Sequence, residues 1–218
     1  MKSLAQNLKI IIVVALAGTA ILAFAVISFY FWTKTKSPKI ADGGFISQQP
    51  CGPPCFYGII PGETTEKDAR NILHNLGEFC TDWNNTQYGG YRGTNCHKVD
   101  LFFQDNTVGG IRYYPDLKIS VSQLIEIYGE PDHMFVYISS ILPDEPRRSN
   151  AMLLYDRYQL ILHFSEQEGE YFTINDDTNI KSINYGTRIG YKEYVDLITH
   201  HFVPWKGFST YEAEPPGY

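Results

Sequence analysis

The chain has 218 residues, with 18 Lys and Arg against 24 Asp and Glu and a formal net charge of −6. All 24 acidic residues lie beyond residue 36 with 14 of the 18 basic ones, so that portion carries 14 − 24 = −10. This argues against a nucleic-acid partner, because phosphate binding needs clustered Lys and Arg, and Pro146–Arg148 is the one small basic cluster.

Ile10–Trp32 is a run of 23 residues without a charge. At about 1.5 Å per residue it exceeds the roughly 30 Å hydrocarbon core of a bilayer, and Phe29–Trp32 crowd one end, where aromatic rings favour the headgroup level. The run is longer than the apolar core of a cleaved signal peptide, so residues 1–36 read as a short cytoplasmic N-terminus and an uncleaved transmembrane signal-anchor. Lys2 and Lys9 on one side nearly balance Lys34, Lys36 and Lys39 on the other, so charge alone does not orient the segment. The four cysteines, all between residues 51 and 96, suit disulfides in an oxidising compartment and place the C-terminal part outside. The expected location is the cell membrane, single-pass, with the C-terminal domain on the outer side.

Residues 37–50 are polar and broken by Gly and Pro, and read as a linker. Beyond it, residues 51–115 and 116–190 share a plan. In the first, Thr65 is an N-cap, Ala69, Ile72, Leu73 and Leu76 form an apolar stripe, and Gly77 stops the helix. Strands at Cys96–Phe103 and Val108–Tyr114 follow, joined by a tight reversal at Gln104–Thr107. In the second, Ser120 and Gln123 have capping-box spacing, Val121, Leu124, Ile125 and Tyr128 form the stripe, and Gly129–Asp132 ends the helix. Strands follow at His133–Ser140, at Ala151–Phe164 with a hairpin near Asp156 and Arg157, and at Ile180–Gly186. Tyr191, Tyr194, Val195 and Ile198 predict a last amphipathic helix, within a C-terminal helix and tail over residues 191–218. The expected fold class is therefore α+β: an N-terminal transmembrane helix, then an ectodomain of two helix-plus-antiparallel-sheet repeats.

Two capped helices, one ending in Gly-Glu-Pro-Asp, each followed by strands that alternate aromatic and aliphatic residues, resemble the β-lactamase-inhibitor-protein-like fold. They also resemble the small outer-membrane assembly lipoproteins of the SmpA/OmlA (BamE) type. The stretches "PCFYGIIPGETT", "LIEIYGEPD" and "PWKGF" are similar to those of membrane-anchored bacterial envelope proteins with a PCxxGIxPGxT motif. The resemblance covers roughly residues 51–207 and implies a protein-binding module that works through a curved sheet and its loops, without catalysis. Two departures stand out. Residues 116–190 contain no cysteine, and no lipidation-type cysteine is present, so no specific inhibitor function carries over.

Among candidate sites, Cys80 and Cys96 would clamp the loop between them, leaving Cys51 and Cys55 as a local pair stiffened by two prolines; other pairings stay open. The cysteine spacing, even with His97 beside Cys96, matches no common zinc site, and no cofactor is expected. Ile174–Asn179 clusters oxygen ligands but lacks the glycine and distal glutamate of a calcium loop, so it reads as a polar turn. His200 and His201 read as a surface pair, and Glu126 and Glu130 as a solvated face. Nucleophile signatures, P-loops and dinucleotide fingerprints are missing, so an enzyme is not expected; the alternative is a surface hydrolase assembled only in the fold. Aromatics give the better lead. Met134, Val136 and Ile138 face one way and Phe135 and Tyr137 the other, so Phe135 and Tyr137 are the candidate partner-binding residues. Two outcomes are open for that face: free for a protein partner, or covered by the tail with Phe202, Trp205, Phe208 and Tyr211.

Overall fold

A computed structural model describes residues 18, 42–76, 84–88, 91–96, 98–116, 118–139 and 146–214. The fold described below belongs to the unit Ile40–Tyr218.

Three helices form where local chemistry starts them. In α1 (Glu66–Asn75), Thr65 Oγ1 accepts from the Asp68 amide at 3.2 Å, and Ala69 and Leu73 are buried. In α2 (Val121–Tyr128), Ser120 and Gln123 exchange both capping-box hydrogen bonds, and Gly129 ends the helix at φ 82°, a region glycine enters without a Cβ clash. In α3 (Arg188–Ile198), Thr187 caps the Gly190 amide.

The strands are β1 (Asn84–Tyr88), β2 (Tyr91–Cys96), β3 (Val99–Gln104), β4 (Thr107–Tyr113), β5 (His133–Ile138), β6 (Arg148–Tyr155), β7 (Leu160–Phe164), β8 (Gln167–Glu168), β9 (Tyr171–Thr173), β10 (Ile180–Gly186), β11 (Phe202–Val203) and β12 (Thr210–Glu212). Asp105 and Asn106, both at positive φ, make the two-residue turn from β3 to β4, the conformation that matches strand twist. A short 3-10 turn at Asp156–Tyr158, followed by Gln159 at φ 46°, carries β6 into β7.

The sheet order is β1-β2-β3-β4-β10-β7-β6-β5-β11, with antiparallel pairing between neighbours, and β8 pairs with β6 off this path. A separate ribbon pairs β9 with β12. Strand β10 is the joint: Ile183 lies opposite Tyr113 of β4 on one side and Leu162 of β7 on the other.

This overturns the expected fold class. The described chain is mostly antiparallel sheet with three helices, and the two expected repeats merge into one sheet because β10 pairs with strands of both halves. Among the described residues, no helix is long and apolar enough to cross a membrane. Apart from Gly18, the Ile10–Trp32 run lies outside the described residues. The linker is corrected in part as well. In residues 42–50 the Asp42 carboxylate accepts from the amides of Gly44, Ile46 and Ser47, and Phe45 is fully buried.

Alternation puts two different layers on the two faces of the sheet. One face carries Leu101, Leu153, Leu162, Ile183, Val136 and Met134 against α1, α2 and the Phe45 and Phe56 loops, and forms the main core. The other carries Met152, Leu154 and Ile161, and α3 lies on these through Tyr191, Tyr194, Val195 and Ile198.

Candidate functional site

Helix α3 covers only part of its face. On the side toward β10, β4 and β3 it leaves a groove of about 470 Å³. The floor is made by Phe102, Gly109, Gly110 and Asn184, the wall by Tyr194 and Leu197. Ile189 and Leu197 on this wall are 73% and 76% exposed, although they belong to the same helix as the buried Tyr191.

The glycine floor is not forced by the backbone. Gly109 and Gly110 have no left-handed φ, and a Cβ on either would meet nothing closer than 3.4 Å. Glycine inside a strand weakens it, and often marks a place where a ligand or another backbone comes close. Here it keeps the floor low between Phe102 and Tyr194.

A polar line crosses the same face at the groove's edge. Tyr114 Oη donates to Asp100 Oδ2 at 3.0 Å, Arg112 lies opposite Asp100 in register, and Arg112 Nε donates to Asn184 Oδ1 at 3.3 Å. Asn184 Nδ2 lies 2.9 Å from His163 Nε2. Burial raises the Asp100 carboxyl above its ordinary range, despite the Tyr114 hydrogen bond and the Arg112 charge. Burial also pulls the His163 imidazole down to about 4, with Arg112 and Lys181 adding to the effect. The Arg112 guanidinium sits 5.6 Å from the centre of the Phe102 ring, so the floor has a fixed cation at one end.

On the far side of α3 a second cavity of about 450 Å³ brings together His133, Asp156 and Tyr191. His133 Nε2 lies 3.2 Å from Asp156 Oδ2, and Tyr191 Oη donates to Asp156 Oδ1 at 2.9 Å. The His133 ring stacks on Phe202 with centroids 4.6 Å apart. The hydroxyls lining this cavity are engaged: Tyr191 with Asp156, and Thr199 with the Val195 carbonyl at 2.7 Å. The arrangement holds α3 in place and presents no aligned nucleophile.

Several candidates from the sequence find definite places. Cys51 and Cys55 are joined in a disulfide with Cα atoms 5.7 Å apart. The Cys80–Cys96 pairing lies outside the described residues. Phe135 and Tyr137 do point away from Met134, Val136 and Ile138; they stack on each other at 4.9 Å and pack into the layer under α3. What covers them is mainly α3 and Phe202 rather than Trp205, Phe208 and Tyr211, since Trp205 stacks on Tyr211 against the main core and Phe208 is exposed. Ile174–Asn179 closes on itself, with Thr178 Oγ1 accepting from the Asn175 amide, while Asp176 accepts from Ser122 Oγ. Among the described residues, no group of three His, Cys, Asp or Glu is placed to hold a metal ion.

The groove residues Phe102, Gly109, Gly110, Ile189 and Leu197 were not singled out from the sequence. One signal was available. Ile189, Tyr191, Tyr194, Val195, Leu197 and Ile198 span a wider arc of a helix than one sheet face can bury. Compared with protein-family models, curated proteins and solved structures, the chain finds no match.

Proposed function

We propose that this chain is an extracytoplasmic, non-catalytic protein-binding module that takes its partner in the groove between α3 and the neighbouring strands β10, β4 and β3. The observation that carries this reading is the exposure of Ile189 and Leu197, 73% and 76%, on the wall of a preformed groove. A partner seated on Ile189 and Leu197 removes their apolar surface from water, which lowers the free energy of the complex. The Cys51–Cys55 disulfide supports an oxidising compartment.

A photoreactive amino acid at position 197 in intact cells tests this, with the same group at the exposed Lys67 of α1 as control. A mass-identified protein adduct specific to position 197, lost on Gly110→Leu, is the expected result. No adduct specific to position 197 removes the groove from the function.

A second reading, a surface hydrolase, is favoured only by the approach of His133 to Asp156 in the other cavity. Hydrolysis of any ester or amide in a substrate panel that is lost on His133→Gln would support it. Identical turnover by the two proteins sinks it.

A further inference from the structure

Resting on the reading of this groove as a protein-binding site, we infer that its occupant is an amphipathic helix of a partner protein. It lies beside α3, with apolar side chains on Ile189 and Leu197 and a basic side chain facing Glu193.

The space suits a helix. From β10 across β4 to β3 the groove spans two strand spacings, about 10 Å, close to the roughly 10–12 Å width of a helix with its side chains. Among the described residues, no helix lies over the groove face of β3 and β4. The wall suits a helix as well. Ile189, Glu193 and Leu197 follow one another at i, i+4 and i+8, the row that forms a packing ridge toward a neighbouring helix. The low floor at Gly109 and Gly110 lets a large apolar side chain of that neighbour descend between Phe102 and Tyr194.

Charge then selects the partner. Glu193 sits mid-ridge and forms no ion pair with any described residue, because the adjacent Lys192 is held by Asp196 at 2.7 Å. Arg112 stands at the groove's edge, opposite Asp100 in register and hydrogen-bonded to Asn184, and Glu193 is the charged side chain that lines the groove itself. The unanswered charge is therefore a single carboxylate between two aliphatic side chains, and a Lys or Arg on the incoming helix completes it. The same carboxylate argues against a second copy of this chain. A two-fold interface that packs Ile189 of one α3 on Leu197 of another sets the two Glu193 carboxylates together at the axis, where burial would cost both.

The test uses the full-length chain and two fluorescein-labelled 18-residue helical peptides. One has leucines along one face and lysines beside them; its twin has glutamates at the lysine positions. Fluorescence anisotropy should show the lysine peptide binding about fivefold tighter, the scale of one partly screened ion pair. Glu193→Lys should reverse that order. Leu197→Ser, on the exposed wall where folding is not at stake, should weaken both peptides about tenfold, and Gly110→Leu should block both. Equal binding of the two peptides, no binding of either, or an order unchanged by Glu193→Lys overturns the basic-helix assignment, while a surviving crosslink from position 197 keeps the protein-binding reading. Loss of that crosslink as well removes both. A dimer in sedimentation that Glu193→Gln tightens and Leu197→Ser dissolves would assign the groove to a second copy and overturn the proposal.

Discussion

Tyr191 of α3 donates its hydroxyl to one oxygen of Asp156 at 2.9 Å, while His133 of β5 approaches the other oxygen at 3.2 Å. The Asp156 amide in turn donates to Asp132 at 2.8 Å. One carboxylate at the β6–β7 turn thus ties the first turn of α3 to the sheet, and the Tyr191 ring packs on Met152, Leu154 and Ile161 below. Because α3 is one wall of the groove, this contact links a local hydrogen bond to the shape of the site. Tyr191→Phe removes only the hydrogen bond to a charged group and should cost about 1.5–3 kcal/mol. Tyr191→Ala also empties the space beneath the helix and should cost about 3–5 kcal/mol. Urea unfolding measures both. Equal midpoints for wild type and Tyr191→Phe would show that packing alone holds the helix.

Tyr137 gives a sharper separation of packing from binding. Its ring stacks on Phe135 and is half-buried in the layer under α3, and burial together with Glu166 raises its hydroxyl above the ordinary range. Tyr137→Ala should lower stability by about 2–3 kcal/mol, less than a fully buried aromatic because part of the ring meets solvent. Crosslinking from position 197 should be unchanged. An unchanged unfolding midpoint with lost partner capture would instead move the binding surface onto Phe135 and Tyr137.

What the sequence made legible is what local chemistry decides. Thr65 and Ser120 start α1 and α2 as their spacing to Asp68 and Gln123 requires, and β5 alternates inward and outward from Met134 to Ile138. Each of these depends on contacts within a few residues. The pairing of Ile183 with both Tyr113 and Leu162 does not, since it joins segments far apart in the chain, and so the single sheet was not readable as repeats. The groove was hidden for a related reason. Ile189 and Leu197 look like core residues of the same helix as Tyr191, and only the lateral position of α3 on the sheet leaves them outside.

The Cys51–Cys55 bridge closes a short loop immediately before the fully buried Phe56. A loop this small removes little entropy from the unfolded chain, about 2 kcal/mol on the chain-entropy estimate. The double change Cys51→Ser, Cys55→Ser should therefore lower stability by about 2 kcal/mol and leave the α3 groove intact, because the loop packs on the opposite face of the sheet. Thermal unfolding and peptide binding check the two halves. A loss of peptide binding at temperatures where the variant is still folded would show that the two faces are coupled through the sheet.

The enclosure of His163 should make the stability of the fold depend on pH. Its ring is largely enclosed on the α3 side of the sheet, touches Asn184, and faces the positive charges of Arg112 and Lys181, which together hold its pKa at about 4 against 6.5 unperturbed. Above pH 6.5 the ring is neutral in both folded and unfolded chains, and the native state carries no penalty. Between pH 6.5 and about 4 the unfolded chain takes up the proton while the folded one resists it, so stability falls as pH falls. The loss should reach about 2–3 kcal/mol, at roughly 1.4 kcal/mol per unit with a discount for residual solvent contact, and level off below about pH 4. His163→Gln keeps a polar partner for Asn184 but cannot titrate. Its unfolding free energy should lose that much less than wild type between pH 7.5 and 4.5, with the carboxylates common to both proteins cancelling in the difference. Parallel pH profiles for the two proteins would mean that the ring is protonated in the native state at mild acidity, and that Asn184 and Arg112 rearrange to admit the charge.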